Sequence, residues 1–216
     1  MRKEVVQSVK AALTWLHLWD FKTLDYFIRV LMDWVNDLFT GEVTEAEFVD
    51  RLADLIEQQL TRAFNEGMRA NDLDPLIDMT EEYQQALQEI IANEYQYVDA
   101  FAHDVSTKNG TLPQFQNRAQ MWANRYNDVV NQAKLLTADA KDKYEWVEGD
   151  TVDKCGVCSG LDGMVLTAKE WDALGVRPQS PKLPCKGFHC ECDLVPTDKR
   201  RTRDGYGKAE EIILRG

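Results

Sequence analysis

The five cysteines of this 216-residue chain all lie in one stretch, from Cys155 to Cys192, and this clustering limits the fold more than any other feature. A disulfide framework explains it poorly, because pairing five thiols leaves one over. The chain starts with the basic run Met1 to Lys3, but no small-residue cleavage site follows a clean apolar segment, so we expect an unsecreted protein. A metal site is therefore the better interpretation of the cysteines.

The composition is that of a folded protein with its negative charge in one part. Hydrophobic residues make up 44% of the chain, which is enough for a core. The net charge is −12, and all of it precedes Gly149, since 26 acidic and 14 basic residues come before that position and 11 of each follow. This balance argues against a protein whose whole surface binds nucleic acid. No apolar run reaches the roughly 18 residues of a membrane span, so we expect no membrane partner.

The first part of the chain, residues 1 to 148, has the periodicity of amphipathic helices, because its apolar residues recur three or four positions apart. Thr111 and Pro113 are a typical start for the last of these helices. The pattern predicts a helical domain of about five helices, at Val6 to Leu16, Leu24 to Leu38, Phe48 to Ile56, Tyr83 to Phe101 and Pro113 to Asp142.

The limits of the third helix are predicted from capping and breaking residues. Thr44 with Glu47 three positions later forms a capping box before the apolar run. Gly67 and the pair Asp74-Pro75 are predicted to close this helix, because glycine and proline disfavour its continuation.

The second part, residues 149 to 216, loses the helical periodicity and gains proline, with four of the six prolines between Pro178 and Pro196. So short a region cannot bury much apolar surface and needs an added constraint. We expect short strands at Met164 to Thr167 and Asp193 to Val195 around a helix at Lys169 to Leu174. The predicted fold class is mainly α, a helical bundle followed by a small zinc-stapled α+β module.

The spacing of the cysteines predicts a structural zinc ion. Cys155 and Cys158 form a C-x-x-C motif, and Cys190 and Cys192 follow about thirty residues later as C-x-C. Two such pairs can supply the four ligands of a tetrahedral Zn²⁺ site, which then has no open position for a substrate. The first-choice ligands are Cys155, Cys158, Cys190 and Cys192, with Cys185 or His189 as substitutes.

Between Leu112 and Pro196 the chain resembles the carboxy-terminal half of the phage Mu F-like minor head, or head-morphogenesis, proteins. Those proteins show a long helix, a Trp and an Asp, a C-x-x-C motif followed by Leu-x-Gly, and a closing His-Pro-x-Cys-Arg-Cys-x-Leu. The matching residues here are Asn117-Arg118, Asn131, Tyr144-Glu145-Trp146, Asp150 to Asp153, Cys155-x-x-Cys158, Leu161-Asp162-Gly163 and Cys190-x-Cys192-x-Leu194-x-Pro196.

The chain departs from the family in the closing motif, where His189 stands directly beside Cys190 and Glu191 replaces the usual arginine. Family members are minor virion components associated with the portal and with capsid assembly or genome delivery. The resemblance thus implies a structural protein without catalysis, a portal or capsid partner, and a location in the virion and, during assembly, in the host cytoplasm.

Two other functions fit parts of the sequence. Aspartates near His189 allow a zinc-supported DNA nuclease, although such centres usually need more than one histidine and the chain has only His17, His103 and His189. A generic protein-interaction module is the other alternative. A basic segment that could contact DNA phosphates follows the cysteines, and its residues are Lys199, Arg200, Arg201 and Arg203.

Overall fold

The computed structural model describes residues 24–151, 154–187 and 190–215, and in this part the chain is mainly helical with one small antiparallel sheet, which confirms the predicted fold class. The helix predicted at Val6 to Leu16 lies outside the described residues. The helices are α1 (Leu24–Thr40), α2 (Glu45–Arg69), α3 (Glu81–Tyr95), α4 (Val98–Ser106), α5 (Leu112–Thr137), α6 (Gly156–Leu161), α7 (Ala168–Leu174) and α8 (Gly205–Arg215). The strands are β1 (Lys143–Val147), β2 (Val165–Thr167) and β3 (Asp193–Pro196).

Helices α1 to α5 enclose one hydrophobic core, in which the long helices α2 and α5 pack against each other. Aromatic rings fill its centre: Phe101 and Trp122 meet edge to face with centroids 4.9 Å apart, and Phe48 and Phe115 pack on Phe101 from other sides. Each such side chain removes a large apolar area from water, so the burial of these rings stabilises the bundle. Within the described ranges, no helix combines the length and the apolar character that crossing a bilayer requires.

The predicted helix starts are confirmed by their caps. The hydroxyl of Thr44 accepts a hydrogen bond from the backbone N–H of Glu47 at 3.2 Å, which satisfies one of the unpaired amides of the first turn. Thr111 and Gln114 form a complete capping box, with the Thr111 amide donating to the Gln114 side chain at 2.8 Å, and Pro113 lies in the first turn.

The prediction that Gly67 closes its helix is wrong, because α2 continues to Arg69. A Cβ atom on Gly67 would lie 2.5 Å from both the Cβ of Ala133 and the carbonyl oxygen of Val130. The glycine therefore allows close contact between α2 and α5 and does not end the helix.

The single helix predicted from Tyr83 to Phe101 is divided into α3 and α4 at Gln96 and Tyr97. The amide of Tyr97 donates to the carbonyl of Glu94 at 3.1 Å, a tighter turn than that of an α-helix. Phe101, in α4 after this break, is buried in the core.

The last helix of the bundle also ends earlier than predicted, at Thr137 and not at Asp142. Ala138 has an extended backbone with a ψ of 152°. The residues that follow form a turn in which the amide of Asp139 donates to the carboxylate of Asp142 at 2.9 Å, so these side chains compete with the helix for its hydrogen bonds.

The sheet has the order β2-β1-β3, and both pairings of the central strand β1 are antiparallel. The strands and helix predicted after Cys158 are confirmed as β2, β3 and α7. Strand β1 was not predicted. It shows the alternation of a half-buried strand, since Tyr144 and Trp146 point into a core while Lys143 and Glu145 are more exposed.

A second hydrophobic core lies between this sheet and helices α6 to α8. Trp146 and Trp171 contact each other there with ring centroids 5.4 Å apart, and the indole N–H of Trp171 donates to the carbonyl of Tyr144 at 2.9 Å. The core includes Leu135 and residues of β1, which precede Glu148. The division into domains 1–148 and 149–216 stays a prediction.

Polar contacts join the sheet to α5. The ammonium group of Lys134, which is buried, lies 2.7 Å from the carboxylate of Asp193 and 2.9 Å from the carbonyl oxygen of Leu194. The side-chain oxygen of Asn131 accepts a hydrogen bond from the backbone N–H of Leu194 at 3.0 Å. One turn earlier in α5, Asp128 is fully buried and forms an ion pair at 2.8 Å with Arg177. These contacts orient the cysteine-bearing loops relative to the bundle.

Candidate metal centre

Three segments of the chain bring the five cysteines together: the start of α6, the loop after α7 and the residues before β3. Cys155 is the residue before α6, and Cys158 lies in the first turn of that helix. Cys185 comes from the proline-rich loop after α7, while Cys190 and Cys192 immediately precede β3. All five are free cysteines, so the structure contains no disulfide among them.

The sulfur atoms form two groups that share Cys158. Cys155, Cys158 and Cys185 have their sulfurs within 4.8 Å of one another, and so do Cys158, Cys190 and Cys192. Cys158 is fully buried and therefore lies at the centre of the cluster. We refer to these five residues as the cysteine cluster.

Backbone amides next to the cluster are directed at three of its sulfurs. The amide of Gly187 hydrogen-bonds to Cys185, the amide of Gly149 to Cys192, and the amide of Cys192 to Cys190. A Cβ atom on Gly149 would lie 2.5 Å from the backbone of Glu191, and one on Gly187, whose φ is +74°, would lie 2.7 Å from the carbonyl of Gln179. Both glycines are thus required for the close approach of these loops.

The thiols of the cluster are polarised by one another. Hydrogen bonds from Cys158 and Cys190, with the amide of Gly187, lower the pKa of Cys185 although burial opposes this. The pKa of Cys192 is lowered by the same two thiols and by the amide of Gly149. The pKa of Cys158 is raised, because it donates to its neighbours and is removed from water. The lowered pKa values favour the thiolate form at Cys185 and Cys192, and a thiolate is the form that binds a metal.

The donor set suits a metal ion. Five thiol sulfurs converge on one small volume, with amide donors available to the thiolates, which is the arrangement that supports thiolate ligands in metal sites. Soft thiolate donors select zinc, copper(I) or iron over hard cations such as magnesium. The cysteine cluster can therefore hold a metal ion, and the prediction of a metal-binding cysteine region is confirmed at this level.

The structure brings together all four first-choice residues, Cys155, Cys158, Cys190 and Cys192, and adds Cys185 from the substitutes. His189 lies outside the described residues. Which four residues bind the ion stays a prediction. Gly149 and Gly187 were not predicted as part of the site, although a glycine two residues after Cys185 is a signal that sequence reasoning could have used.

Two aspartates of the cysteine-containing region and the histidine His103 have other contacts, which weakens the nuclease alternative. His103 belongs to α4, where its ring lies 3.6 Å from the carboxylate of Glu45. The carboxylate of Asp162 accepts a hydrogen bond from the backbone N–H of Glu148 at 2.8 Å, and Asp193 forms an ion pair with Lys134. In the described ranges, the groups able to hold a metal consist of cysteines alone.

The basic segment after β3 is partly paired within the chain. Lys199 forms an ion pair with Glu145 at 2.7 Å, and Arg201 pairs with Glu170. The guanidinium of Arg203 lies 3.7 Å from Asp204. The predicted contact of Lys199, Arg200, Arg201 and Arg203 with DNA phosphates would thus compete with these intramolecular pairs.

Comparisons of this chain with models of protein families, with curated proteins and with solved structures find no match. The resemblance to phage minor head proteins therefore depends on the motif residues alone.

Proposed function

We propose that this chain is a structural protein of a phage or prophage head, associated with the portal or capsid, and that its cysteine cluster binds one structural zinc ion. The observation that carries the zinc assignment is the convergence of five sulfurs from three chain segments of a region with short strands and a small core. Zinc needs no redox partner and takes four thiolates in a closed tetrahedral site, so it suits a stabilising role.

The arrangement of the motif residues supports the head-protein assignment. Trp146 and Leu161 are buried in the core beside the cysteine cluster. Asn131 binds the backbone of Leu194, the residue that follows the C-x-C pair by two positions. The residues that carry the family resemblance thus join the cysteine loops to the long helix α5. A metal-dependent unit attached to a helical bundle suits docking, since it presents a surface of fixed shape.

Metal content on the full chain tests the zinc assignment. The protein purified without chelator is expected to contain about one zinc per chain, and the variant Cys158→Ser is expected to lose it, because Cys158 belongs to both sulfur groups. Ser159→Ala is the matched control: this neighbouring side chain is exposed and bonds to Glu148. Full metal content in Cys158→Ser would refute the assignment.

Co-sedimentation tests the head-protein assignment. The full chain is mixed with proheads or portal rings of the phage or prophage that encodes it, and the bound fraction is compared for the wild type, Cys158→Ser and Ser159→Ala. We expect binding by the wild type and Ser159→Ala and its loss in Cys158→Ser. Absence of binding in all three, or metal-dependent cleavage of DNA by the wild type, would contradict the proposal.

A further inference from the structure

The loop between α2 and α3 exposes two large aliphatic side chains that are adjacent in the chain. Leu76 is 70% exposed and Ile77 is 80% exposed. Single apolar residues scattered over a surface need no explanation, whereas neighbouring ones form a contiguous patch of the kind that marks an interaction site. We refer to Leu76 and Ile77 as the apolar tip.

Hydrogen bonds within the loop hold the apolar tip in place. The amide of Leu76 donates to the carboxylate of Asp74 at 2.9 Å, and the amide of Asp74 donates to the carboxylate of Asp78 at 2.7 Å. The amide of Ile77 donates to the carbonyl oxygen of Asp74, also at 2.9 Å. A loop that is ordered in this way loses little conformational entropy when it binds, which favours association.

The chain on both sides of the apolar tip is acidic. Five carboxylates lie within five positions of it, namely those of Asp72, Asp74, Asp78, Glu81 and Glu82. Between Arg69 and Lys108 the sequence has no lysine and no arginine. A surface that binds the tip therefore needs an apolar depression with positive charge at its rim.

A cavity of about 560 Å³ near the other end of α3 provides an apolar depression. It is lined by the end of α3 and its junction with α4, by the first half of α5 and by the loop that carries Cys185. Its apolar lining includes the exposed side chains of Tyr97 and Met121 and part of Trp122. Clefts of this size bury drug-sized molecules, which are larger than two aliphatic side chains.

Positive charge predominates in the lining of this cavity, although the net charge of the chain is −12. Arg118, Arg125 and Lys186 face only one carboxylate of the lining, that of Glu94. Arg125 pairs with Glu94 at 2.7 Å, and Arg118 pairs with Asp104 at 2.7 Å. Lys186 forms no ion pair with the described residues, so its ammonium group is available to a carboxylate of another molecule.

The apolar tip cannot fill the cavity of its own molecule. The tip precedes the first residue of α3 and the cavity lies at the last turn, and the 15 residues of this helix rise about 22 Å. The tip of one copy can therefore enter only the cavity of another copy. A contact between two different surfaces of the same chain repeats from copy to copy, and it forms a ring if it closes and a filament if it does not.

We propose that copies of this chain associate through a heterologous contact, in which the apolar tip of one copy occupies the cavity of the next. Leu76 and Ile77 pack on the apolar lining, and the aspartates beside them approach Lys186. The inference goes beyond the proposed function and requires neither the zinc ion nor a phage head, so its failure would leave that function untouched.

Sedimentation velocity of the full chain over a range of concentrations tests this contact. We expect the average mass of the wild type to rise with concentration. In Ile77→Asp the association constant should fall about 30-fold, the loss expected of an interface hot spot, because a carboxylate would enter an apolar contact.

Leu214→Asp is the matched control for Ile77→Asp. Leu214 lies on α8 and is 81% exposed, so this variant adds the same charge at a side chain of the same exposure outside both surfaces. We expect it to associate like the wild type. An equal loss in both variants, or a wild type that stays monomeric up to about 1 mM, would overturn the proposal.

A mixture of two deficient variants distinguishes this contact from a symmetric dimer. Met121→Glu changes an exposed residue of the cavity, and its carboxylate should repel the acidic tip. In an equimolar mixture with Ile77→Asp, one variant supplies an intact cavity and the other an intact tip. We expect heterodimers with the affinity of the wild-type contact and no larger species, because each pair has no second usable contact. Failure of the mixture to associate would contradict the proposal.

Discussion

The helical bundle and the cysteine-containing region are stabilised in different ways. The bundle contains long helices whose buried faces form a core of aromatic and aliphatic side chains, centred on Phe48, Phe101 and Phe115. The cysteine-containing region has strands of three to five residues, and two of its buried side chains are the thiols Cys158 and Cys192. The difference teaches that apolar burial stabilises the bundle, whereas the second region has a smaller core and, under the proposed function, depends on a bound metal ion.

The largest effect is expected when a cysteine that binds the proposed zinc ion is replaced. In Cys158→Ser we expect the second region to lose its cooperative structure, because structural zinc in comparable small sites contributes about 10–16 kcal/mol at pH 7. Hydrogen exchange should become fast in β1 and β2, including the amide of Trp146 that bonds to Met164, while α2 and α5 stay protected. Loss of protection in both regions together would contradict the claim that they are stabilised in different ways.

Truncation of a core side chain in the bundle should destabilise the bundle and leave the zinc content unchanged. Phe48 is fully buried, so Phe48→Ala is expected to lower the free energy of unfolding of the bundle by about 3–5 kcal/mol. Urea denaturation measures this loss, and metal analysis of the same sample should still find the wild-type zinc content. A variant that loses its zinc would show that the two regions are not independently stabilised.

A smaller effect is expected where the two long helices touch. Gly67→Ala places a methyl group 2.5 Å from Ala133 and Val130, and overpacking of this kind costs about 1–3 kcal/mol in excess of the gain in helix propensity. Gly207→Ala in α8 is the control, because its Cβ meets no atom within 4 Å and the propensity gain should there stabilise the helix. Stabilisation by both changes in urea denaturation would refute the close packing.

The outcome at Gly67 shows where sequence reasoning was sufficient and where it was not. Periodicity and caps were enough to place the starts of α2 and α5, because Thr44 and Thr111 act through local hydrogen bonds. Gly67 was misassigned because its role depends on α5, more than sixty residues away. The position of a partner element cannot be derived from local propensity.

The same reason explains the missed strand and the ambiguous site. Tyr144 and Trp146 alternate with exposed residues over only five positions, too few to outweigh the preceding helical pattern. The C-x-x-C and C-x-C pairs predicted the region of the candidate metal centre from spacing. Spacing left Cys185 as a substitute ligand, and only the folded loop shows that its sulfur joins the cluster.

The smallest expected effect concerns a surface ion pair of the second region. Arg201 is the main cause that lowers the pKa of Glu170 from 4.5 to about 2, and the cap at Thr167 adds to it. Glu170→Gln keeps a capping side chain but removes the charge, so we expect a loss below about 1 kcal/mol at pH 7, since the pair is partly exposed.

The contribution of this ion pair to folding stability should decrease as the pH falls. A carboxylate whose pKa is lowered in the folded state stabilises it above its ordinary pKa of 4.5, and this contribution disappears as the pH falls towards about 2. The difference in melting temperature between the wild type and Glu170→Gln should therefore shrink over that window. A constant difference would show that the ion pair does not contribute.

The central claim is that the second region is held together by a metal ion while the bundle is not, and metal analysis of the native protein tests it most directly. Elemental analysis of protein purified without chelator should give about one zinc per chain. After chelation, hydrogen exchange should accelerate in β1 to β3 and remain slow in α2 and α5. Protein free of metal, with β1 to β3 as protected as the bundle, would contradict the account.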